Sequence, residues 1–471
     1  MVKTFDNPIH DPMTIIRRYS VFIAMVSIGF AFIFCAKNED DPTPDLVTPE
    51  NALQKYLEKN DIYSWELRSS YPLIGVTAYD LLLTSQQWRA YSWTHQLTIL
   101  VPEQLQYDGA LLWITGGSLQ NGVVKWTAEN DGETLILSLL AARNQAVVAI
   151  LRQTPNQPLY NNLSEDALIS YTLNEFRNDR DFTWPLLFPM VKSAIKAMDA
   201  VQEFSKVTLA KEVDRFLVAG ASKRGWTTWL TGASDPRVEA IAPAVIDMLN
   251  MPVSLDYQLK VWGDYSEQIR DYVDLGIPQD IHSVDGNTIA TMIDPYAYRD
   301  KLTMPKMIFI GTNDPYWPVD AIKHYIQEIP GENFIHYVPN AGHDLGGAEQ
   351  TFWAISAFFR HTITYSAYPV CSWEISENGN GMKLEVQATA NALVEAYLWS
   401  ADSEDRDFRD EQWNKLPLHA GGVHQISTDV DYPASGFSAF YVDLEYNDPF
   451  GSTYTKSTRM FVCDVDELLL N

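Results

Sequence analysis

Ser222 is the residue best placed for nucleophilic chemistry in this sequence. It follows an apolar run with strand character, Phe216–Ala221, and precedes a segment with helical periodicity. A serine nucleophile at a sharp strand-to-helix turn needs small neighbours because the turn is strained and crowded, and Gly220 and Ala221 meet that need. The alternative role is a serine that only caps the following helix.

The residues after the serine depart from the common Gly-x-Ser-x-Gly pattern of such turns. Arg224 stands where that pattern has its second glycine, and Gly225 follows one position later. We therefore expect the helix and the strand to pack somewhat differently around Ser222. The backbone N–H groups of Lys223 and of Gly117, which belongs to a glycine pair at the end of another strand-like run, are the candidates for an oxyanion hole.

A carboxylate and an imidazole follow the serine in the order that a catalytic triad on a parallel sheet requires. Asp314 comes after the strand-like run Lys306–Gly311, and His343 comes after the run Phe334–Val338. An acid just past a strand end can hold the tautomer of a histidine that accepts the serine proton. Asp247, at the end of another apolar run, is either the rival acid or a residue that lines the substrate pocket.

Aromatic residues near these positions are candidates for substrate contacts. Trp226 lies one turn beyond the serine, and Trp317 lies in the loop of the acid, where flat rings can pack against sugars or extended peptides. Core packing is the alternative for both. The histidines are scattered and the cysteines are few, so we expect no metal site. No glycine-rich phosphate loop follows a strand, and no cofactor is expected.

Strand-like runs and helical patterns alternate from about residue 48 to residue 366. Such alternation is typical of an α/β fold in which helices cover both faces of a mostly parallel sheet. Combined with the order serine, acid, histidine, it predicts an α/β-hydrolase fold. The alternation lapses over about residues 248–303, a polar and aromatic stretch that we interpret as a cap inserted over the site.

Residues 367–471 contain short strand-like runs separated by turn clusters, without helical patterns. This arrangement predicts a small antiparallel β-sandwich as a second domain. Cys371 and Cys463 bracket the region, and an even pair in an exported chain indicates a disulfide that would stabilise the fold by closing a long loop. Two buried free thiols are the alternative.

The N-terminus has the features of an export signal. Basic residues precede an uncharged, mostly apolar run, Tyr19–Ala36, and an acidic, proline-containing stretch at 37–47 is interpreted as a linker. This order predicts a signal peptide or signal anchor over residues 1–36, so that membrane contact is limited to an uncleaved segment. The formal net charge of −27, from 61 acidic and 34 basic residues, disfavours nucleic acid as a partner.

Three stretches of the sequence resemble the PhoPQ-activated pathogenicity-related proteins, a family that includes a signalling protein. The stretches are Gly220–Trp226, Ser234–Val238 and Val245–Met251. The resemblance extends over roughly residues 47–463 and implies an α/β-hydrolase-like domain followed by a β-rich region. The turn Gly-x-Ser-basic-x-Gly is also similar to that of glucuronoyl esterases, which act on carbohydrate esters.

These features together predict an exported serine hydrolase. Ser222 would attack an ester or peptide carbonyl, His343 would accept and return the proton, and Asp314 would orient His343. The substrate would be a small molecule, a glycan or a peptide. A non-catalytic extracellular signalling or binding protein on a hydrolase scaffold is one alternative, and a carbohydrate esterase is another.

Overall fold

The computed structural model describes residues 46–60, 62–347 and 349–470. The predicted leader, residues 1–36, and most of the predicted linker, residues 37–47, lie outside the described residues. Within the described ranges, no helix has the length and the apolar character that crossing a membrane requires.

The secondary structure alternates strands and helices up to residue 363, and over the described residues 364–470 its elements are strands. The strands in chain order are β1 (Ser64–Leu73), β2 (Val76–Trp88), β3 (Tyr91–Pro102), β4 (Gly109–Ile114), β5 (Leu119–Gln120), β6 (Val123–Val124), β7 (Val147–Leu151), β8 (Arg215–Ala221), β9 (Val238–Ala244), β10 (Lys306–Gly311), β11 (Asn333–Val338), β12 (Cys371–Asn378), β13 (Gly381–Ala388), β14 (Leu393–Ser403), β15 (Asn414–Pro417), β16 (Gln425–Asp431), β17 (Phe437–Asn447), β18 (Thr453–Ser457) and β19 (Phe461–Cys463). The α-helices are α1 (Ala52–Leu57), α2 (Gly132–Asn144), α3 (Glu165–Asp179), α4 (Leu187–Phe204), α5 (Lys223–Gly232), α6 (Met251–Trp262), α7 (Arg270–Val273), α8 (Val284–Ile293) and α9 (Glu349–Ile363).

One large sheet organises the molecule. Its strand order is β1-β2-β3-β7-β4-β8-β9-β10-β11-β18-β17-β14-β15, and β19 pairs with β17. The central strands from β7 to β11 pair in parallel. The strands on either side of them pair antiparallel. This topology, with its inserted helices, confirms the predicted α/β-hydrolase fold.

Neighbouring residues of the central strands belong to different hydrophobic clusters. Leu111 of β4 and Leu217 of β8 pack in one cluster with residues of α2 and α9. Leu112 and Val218, the next residues of the same strands, pack in another cluster with residues of α4 and α5. Successive side chains of a strand point to opposite faces, so an uninterrupted apolar run is what a sheet buried on both faces requires.

The stretch interpreted as a cap lies between β9 and β10 and contains α6, α7 and α8. Four buried residues there form a separate small apolar cluster: Leu255, Ile269, Ile281 and Ala290. The insertion therefore has apolar packing of its own, beyond its contacts with the rest of the molecule, and can form one wall of a site.

The C-terminal strands form two antiparallel sheets. β12, β13 and β16 make a separate three-stranded sheet, whereas β14, β15, β17, β18 and β19 belong to the large sheet. The junction is the pairing of Ile335 on β11 with Ser457 on β18. One layer of this sandwich therefore continues the sheet that carries the parallel strands.

The predicted disulfide is not present in the structure. Cys371 and Cys463 are free thiols. Cys371 lies on β12 opposite Ala388, and Cys463 lies on β19 opposite Ser438, so the two residues belong to different sheets. Burial raises the pKa of each thiol to about 11, which keeps both protonated near neutral pH. The alternative of two free thiols is the one that the structure contains.

Candidate functional site

Ser222 stands at the junction of β8 and α5, where the sequence predicted a sharp turn. Its backbone has φ 57° and ψ −127°, a conformation that residues with a side chain rarely adopt. The Ser222 N–H donates to the carbonyl of Ala244 on β9 at 2.8 Å, and its carbonyl accepts the N–H of Trp226 at 2.9 Å. Two backbone hydrogen bonds thus hold the strained residue between the sheet and the first turn of the helix.

Close packing explains the glycines on either side of the serine. A Cβ atom at Gly220 would lie 2.8 Å from the carbonyl oxygen of Arg224, and one at Gly225 would lie 2.8 Å from the carbonyl oxygen of Ala244. Gly225 therefore provides the close approach of helix to strand that the second glycine provides in the common pattern. Because this approach occurs one position later, residue 224 can carry a long side chain.

Asp314 and His343 meet in the loops that follow β10 and β11. His343 Nδ1 lies 2.9 Å from Asp314 Oδ2, and Asp314 Oδ1 accepts the N–H of Tyr316 at 2.9 Å. The Tyr316 ring stacks on the imidazole with 4.2 Å between centroids. His343 Nε2 is buried and has no hydrogen-bond partner in the structure. Asp314 thus orients the imidazole through Nδ1, and Nε2 remains available to accept a proton.

Ser222 and His343 line one cavity. Two charged residues, Asp166 and Lys223, contribute to its wall. The remaining lining residues are apolar or aromatic: Trp226, Val245, Ile246, Met248, Met251, Leu255, Ile269, Tyr272, Ile277, Pro278, Ile281, Tyr316 and Trp317. Most of them come from the insertion between β9 and β10, which therefore covers the serine and the histidine.

The two basic residues after the serine are paired with carboxylates at the start of α3. Arg224 donates to both carboxylate oxygens of Glu165, at 2.8 and 2.7 Å, and to the carbonyl of Thr154 at 2.6 Å. Lys223 Nζ lies 3.1 Å from Glu165 and 3.0 Å from Asp166. Sequence reasoning missed both acids, because nothing local marks them beyond their place in the first turn of a helix.

Glu165 is ionised in this arrangement. Burial alone would raise its pKa, but the hydrogen bonds and charge of Arg224, aided by Lys223, outweigh burial and lower the pKa to about 2. The Lys223 ammonium is therefore compensated by carboxylates. Its backbone N–H is the first of α5 and has no carbonyl partner within the helix, which leaves it available to an oxyanion.

Asp314, Asp247 and Gly117 are not among the residues that line the cavity. Asp247 is buried, and its Oδ1 accepts the Tyr325 hydroxyl at 2.6 Å. Burial raises the pKa of Asp247 to about 7. Gly117, with φ 132°, packs so closely on Gln153 that a Cβ atom would lie 2.9 Å from the Gln153 amide nitrogen. Asp247 thus has a buried hydrogen-bond partner, and Gly117 packs closely on Gln153.

Both predicted tryptophans line the cavity. Trp226 Nε1 donates to the carbonyl of Ile293 at 2.6 Å, which fixes its ring against α8. Trp317 Nε1 is buried without a hydrogen-bond partner in the structure. An unpaired buried donor carries a desolvation cost, which a substrate acceptor can relieve.

A C-terminal segment, residues 408–413, holds the loops of the acid and the histidine. Asn340, three residues before His343, donates through Nδ2 to the Trp413 carbonyl at 3.1 Å and accepts the Trp413 N–H at 2.7 Å. Asn313, next to Asp314, directs Nδ2 to three backbone carbonyls, those of Phe408 (3.2 Å), Arg409 (3.2 Å) and Glu411 (2.8 Å). Sequence reasoning missed these supports.

Metal chemistry was not predicted from the sequence. Among the residues that the structure describes, no group of three or more His, Cys, Asp or Glu side chains is arranged to hold a metal ion.

Comparisons with known proteins give one family and a set of remote structural likenesses. The sequence profile of the PhoPQ-activated pathogenicity-related proteins matches residues 53–409. Autocrine proliferation repressor protein A of Dictyostelium discoideum is 31% identical over 439 residues, which cover 86% of this chain and 88% of that protein.

Solved structures with a similar arrangement include esterases. An acetyl xylan esterase from Paenibacillus sp. R4 is 15% identical and has a TM-score of 0.47, covering 68% of this chain and 96% of its own. A glucuronoyl esterase from Solibacter usitatus is 12% identical and has a TM-score of 0.41, covering 66% of this chain and 91% of its own.

Proposed function

We propose that this chain, which belongs to the PhoPQ-activated pathogenicity-related protein family, is an exported serine hydrolase that cleaves an ester or peptide acyl bond. One observation carries the proposal. His343 is bonded through Nδ1 to Asp314 and has an unpartnered Nε2, and both His343 and Ser222 line one cavity. A buried orienting carboxylate, an imidazole with a free nitrogen and a strained serine are the parts of a nucleophilic triad.

The reaction would proceed in two halves. Ser222 Oγ attacks the acyl carbonyl and passes its proton to His343 Nε2, while Asp314 stabilises the imidazolium. The Lys223 N–H faces the negative charge that develops on the carbonyl oxygen. The tetrahedral intermediate then expels the leaving group, which takes the proton from His343. Water, deprotonated by His343, hydrolyses the acyl-enzyme, releases the acid and restores Ser222.

A fluorophosphonate probe tests the nucleophile directly. We expect covalent labelling of the purified protein and its loss in Ser222→Ala. The matched control is Ser372→Ala, because Ser372 is exposed on β12, in the separate three-stranded sheet. It should label like the unmodified protein. Folded protein that does not label, or labelling that persists in Ser222→Ala, would contradict the proposal.

A second candidate function is an extracellular signal that does not depend on catalysis. The observation that favours it is the name of the relative that is 31% identical, an autocrine proliferation repressor. Purified protein and its Ser222→Ala variant can be added to Dictyostelium cultures, and cell density can be followed. Equal repression by both proteins would favour a signal, whereas repression that requires Ser222 would favour catalysis.

A further inference from the structure

We infer that the acyl part of the substrate is a neutral, unbranched aliphatic chain that occupies the cavity under the inserted helices. The inference deepens the proposed function and rests on it. If Ser222 is the nucleophile, the acyl carbon of the substrate lies next to it, at the wall of this cavity. It selects one chemical class from the small molecules, glycans and peptides that a serine hydrolase can use.

The first argument is the composition of the cavity wall. Met251 and Leu255 of α6 and Ile269, Ile277 and Ile281 of the following segment are all apolar, and they face the same space as Ser222. Leu255, Ile269 and Ile281 are themselves buried in one cluster. Burial of a methylene group contributes about 0.8 kcal/mol, which is about fourfold in affinity, so each carbon that this wall accepts should raise kcat/KM by up to about that factor.

The second argument is that both charged groups of the wall and two of its aromatic polar groups already have partners. Asp166 accepts the Tyr272 hydroxyl at 3.0 Å and pairs with Lys223, and the Trp226 indole donates to Ile293. A sugar ring brings several hydroxyl groups that each need a partner when buried. The wall retains His343 Nε2 and Trp317 Nε1 as buried atoms without partners, which suits a substrate with a single ester or amide group.

The third argument concerns charge. Lys223 and Arg224 are the cations next to the serine, and each is paired with a carboxylate of Glu165 or Asp166. A carboxylate on the acyl group would compete with those acids and would pay the cost of leaving water in an apolar cavity. The site therefore favours a neutral acyl chain over an acidic one such as a uronic acid.

A series of p-nitrophenyl esters measures the preference through turnover. We expect kcat/KM to rise from acetate through butanoate to octanoate by at least tenfold in total, and octanoate to exceed the ester of a uronic acid. A flat or falling series, or a preference for the uronic ester, would overturn the inference while leaving Ser222 as a nucleophile.

Binding to the Ser222→Ala protein separates this inference from the proposed function. Octanamide should raise its unfolding temperature, because a ligand that binds only the folded state stabilises it, and acetamide at the same concentration should not. If labelling shows no nucleophile but octanamide still stabilises, the proposed function fails and the aliphatic site stands. If neither amide stabilises, the aliphatic site fails whatever the labelling shows.

A cavity-filling substitution places the chain under the inserted helices. Ile281→Phe should lower kcat/KM for the octanoate ester at least tenfold more than for the acetate ester, and it should abolish the octanamide shift. Leu255→Phe fills the cavity from α6 and provides the same test if Ile281→Phe does not fold. The control Ile74→Phe makes the same change at an exposed position on the turn after β1 and should change neither readout. Equal losses for both esters would overturn the placement.

Discussion

Beside Ser222, Arg224 and Glu165 are joined by a pair of charge-assisted hydrogen bonds, whereas beside Asp314 and His343 the supports are neutral side-chain amides. We call the first set, Glu165 with Lys223 and Arg224, the charged brace. We call the second set, Asn313 and Asn340 on residues 408–413, the amide brace. The charged brace supports the serine side of the site, and the amide brace supports the histidine side.

The difference between the braces predicts which perturbations each side of the site can tolerate. Charge-assisted bidentate bonds are strong and directional, but they require an ionised carboxylate. Hydrogen bonds from side-chain amides to backbone carbonyls involve no group that titrates near neutral pH. They require instead that the C-terminal segment 408–413 be in place. Loss of the Glu165 charge should therefore affect the serine side first, and changes in the segment 408–413 should affect the histidine side first.

The largest effect should come from the residue that the amide brace positions. Asp314→Asn keeps the volume but favours the wrong imidazole tautomer, and we expect turnover to fall by on the order of 10⁴. Asp247→Asn is the matched control, because this buried acid contacts Tyr325 and not His343. Its turnover should change by less than about threefold. Steady-state kinetics on one ester decides the ranking, and the reverse ranking would mean that Asp247 is the acid.

Removal of the amide brace should have the next largest effect. Asn313→Ala frees the loop of Asp314 from three carbonyls, and a misplacement near 1 Å typically costs about 10²-fold, so kcat should fall roughly 10- to 100-fold with KM little changed. Asn333→Ala is the control, since Asn333 also donates to two backbone carbonyls, at Ile326 and Ile329, but outside the site. Comparable unfolding temperatures with unequal kcat would identify Asn313 as a positioning residue. Equal kcat losses would indicate general destabilisation.

Removal of the charge from the charged brace should have the smallest effect on rate and a clear effect on stability. The pKa of Glu165 is lowered to about 2. The ionised carboxylate therefore makes its full contribution to the free energy of unfolding above the unfolded pKa near 4.5, and this contribution is lost as pH falls through 2. Glu165→Gln should lower the free energy of unfolding at pH 7 by about 1–2 kcal/mol, after discount for partial exposure, and by much less near pH 2.

Denaturant unfolding at several pH values checks this expectation, with Glu175→Gln as the control. Glu175 lies on the same helix as Glu165 and bonds only at the surface, to Asn178. A difference between Glu165→Gln and the unmodified protein that stays constant down to pH 2 would show that the Glu165 carboxylate does not stabilise the fold through its charge.

The sequence was sufficient to predict the place in the fold of residues whose signal is local. Ser222, Asp314 and His343 each follow an apolar run that forms a parallel strand, and parallel strands deliver the residues after them to one edge of a sheet. The lapse in alternation likewise coincides with the helices α6 to α8 between β9 and β10. Such features depend on periodicity and order, which are visible in one sequence.

The sequence was insufficient to predict a contact when the two hydrogen-bonded residues are distant along the chain. Asn313 and Phe408 are 95 residues apart, and Arg224 and Glu165 are 59 residues apart, so nothing in either stretch names the other. The disulfide prediction failed for the same reason. Cysteine number and compartment argued for a bond, but Cys371 and Cys463 are free thiols.

The pairing of β11 with β18 affects the order in which parts of the site can assemble during translation. His336 and Tyr337, on the last parallel strand, contact Thr455 and Ser457. The loops after β10 and β11 are held by residues 408–413. During synthesis the serine turn can form well before these partners leave the ribosome. The support of Asp314 and His343 is therefore complete only after residues 408–413 have been translated, so that a polypeptide interrupted before them would carry Ser222 without the amide brace.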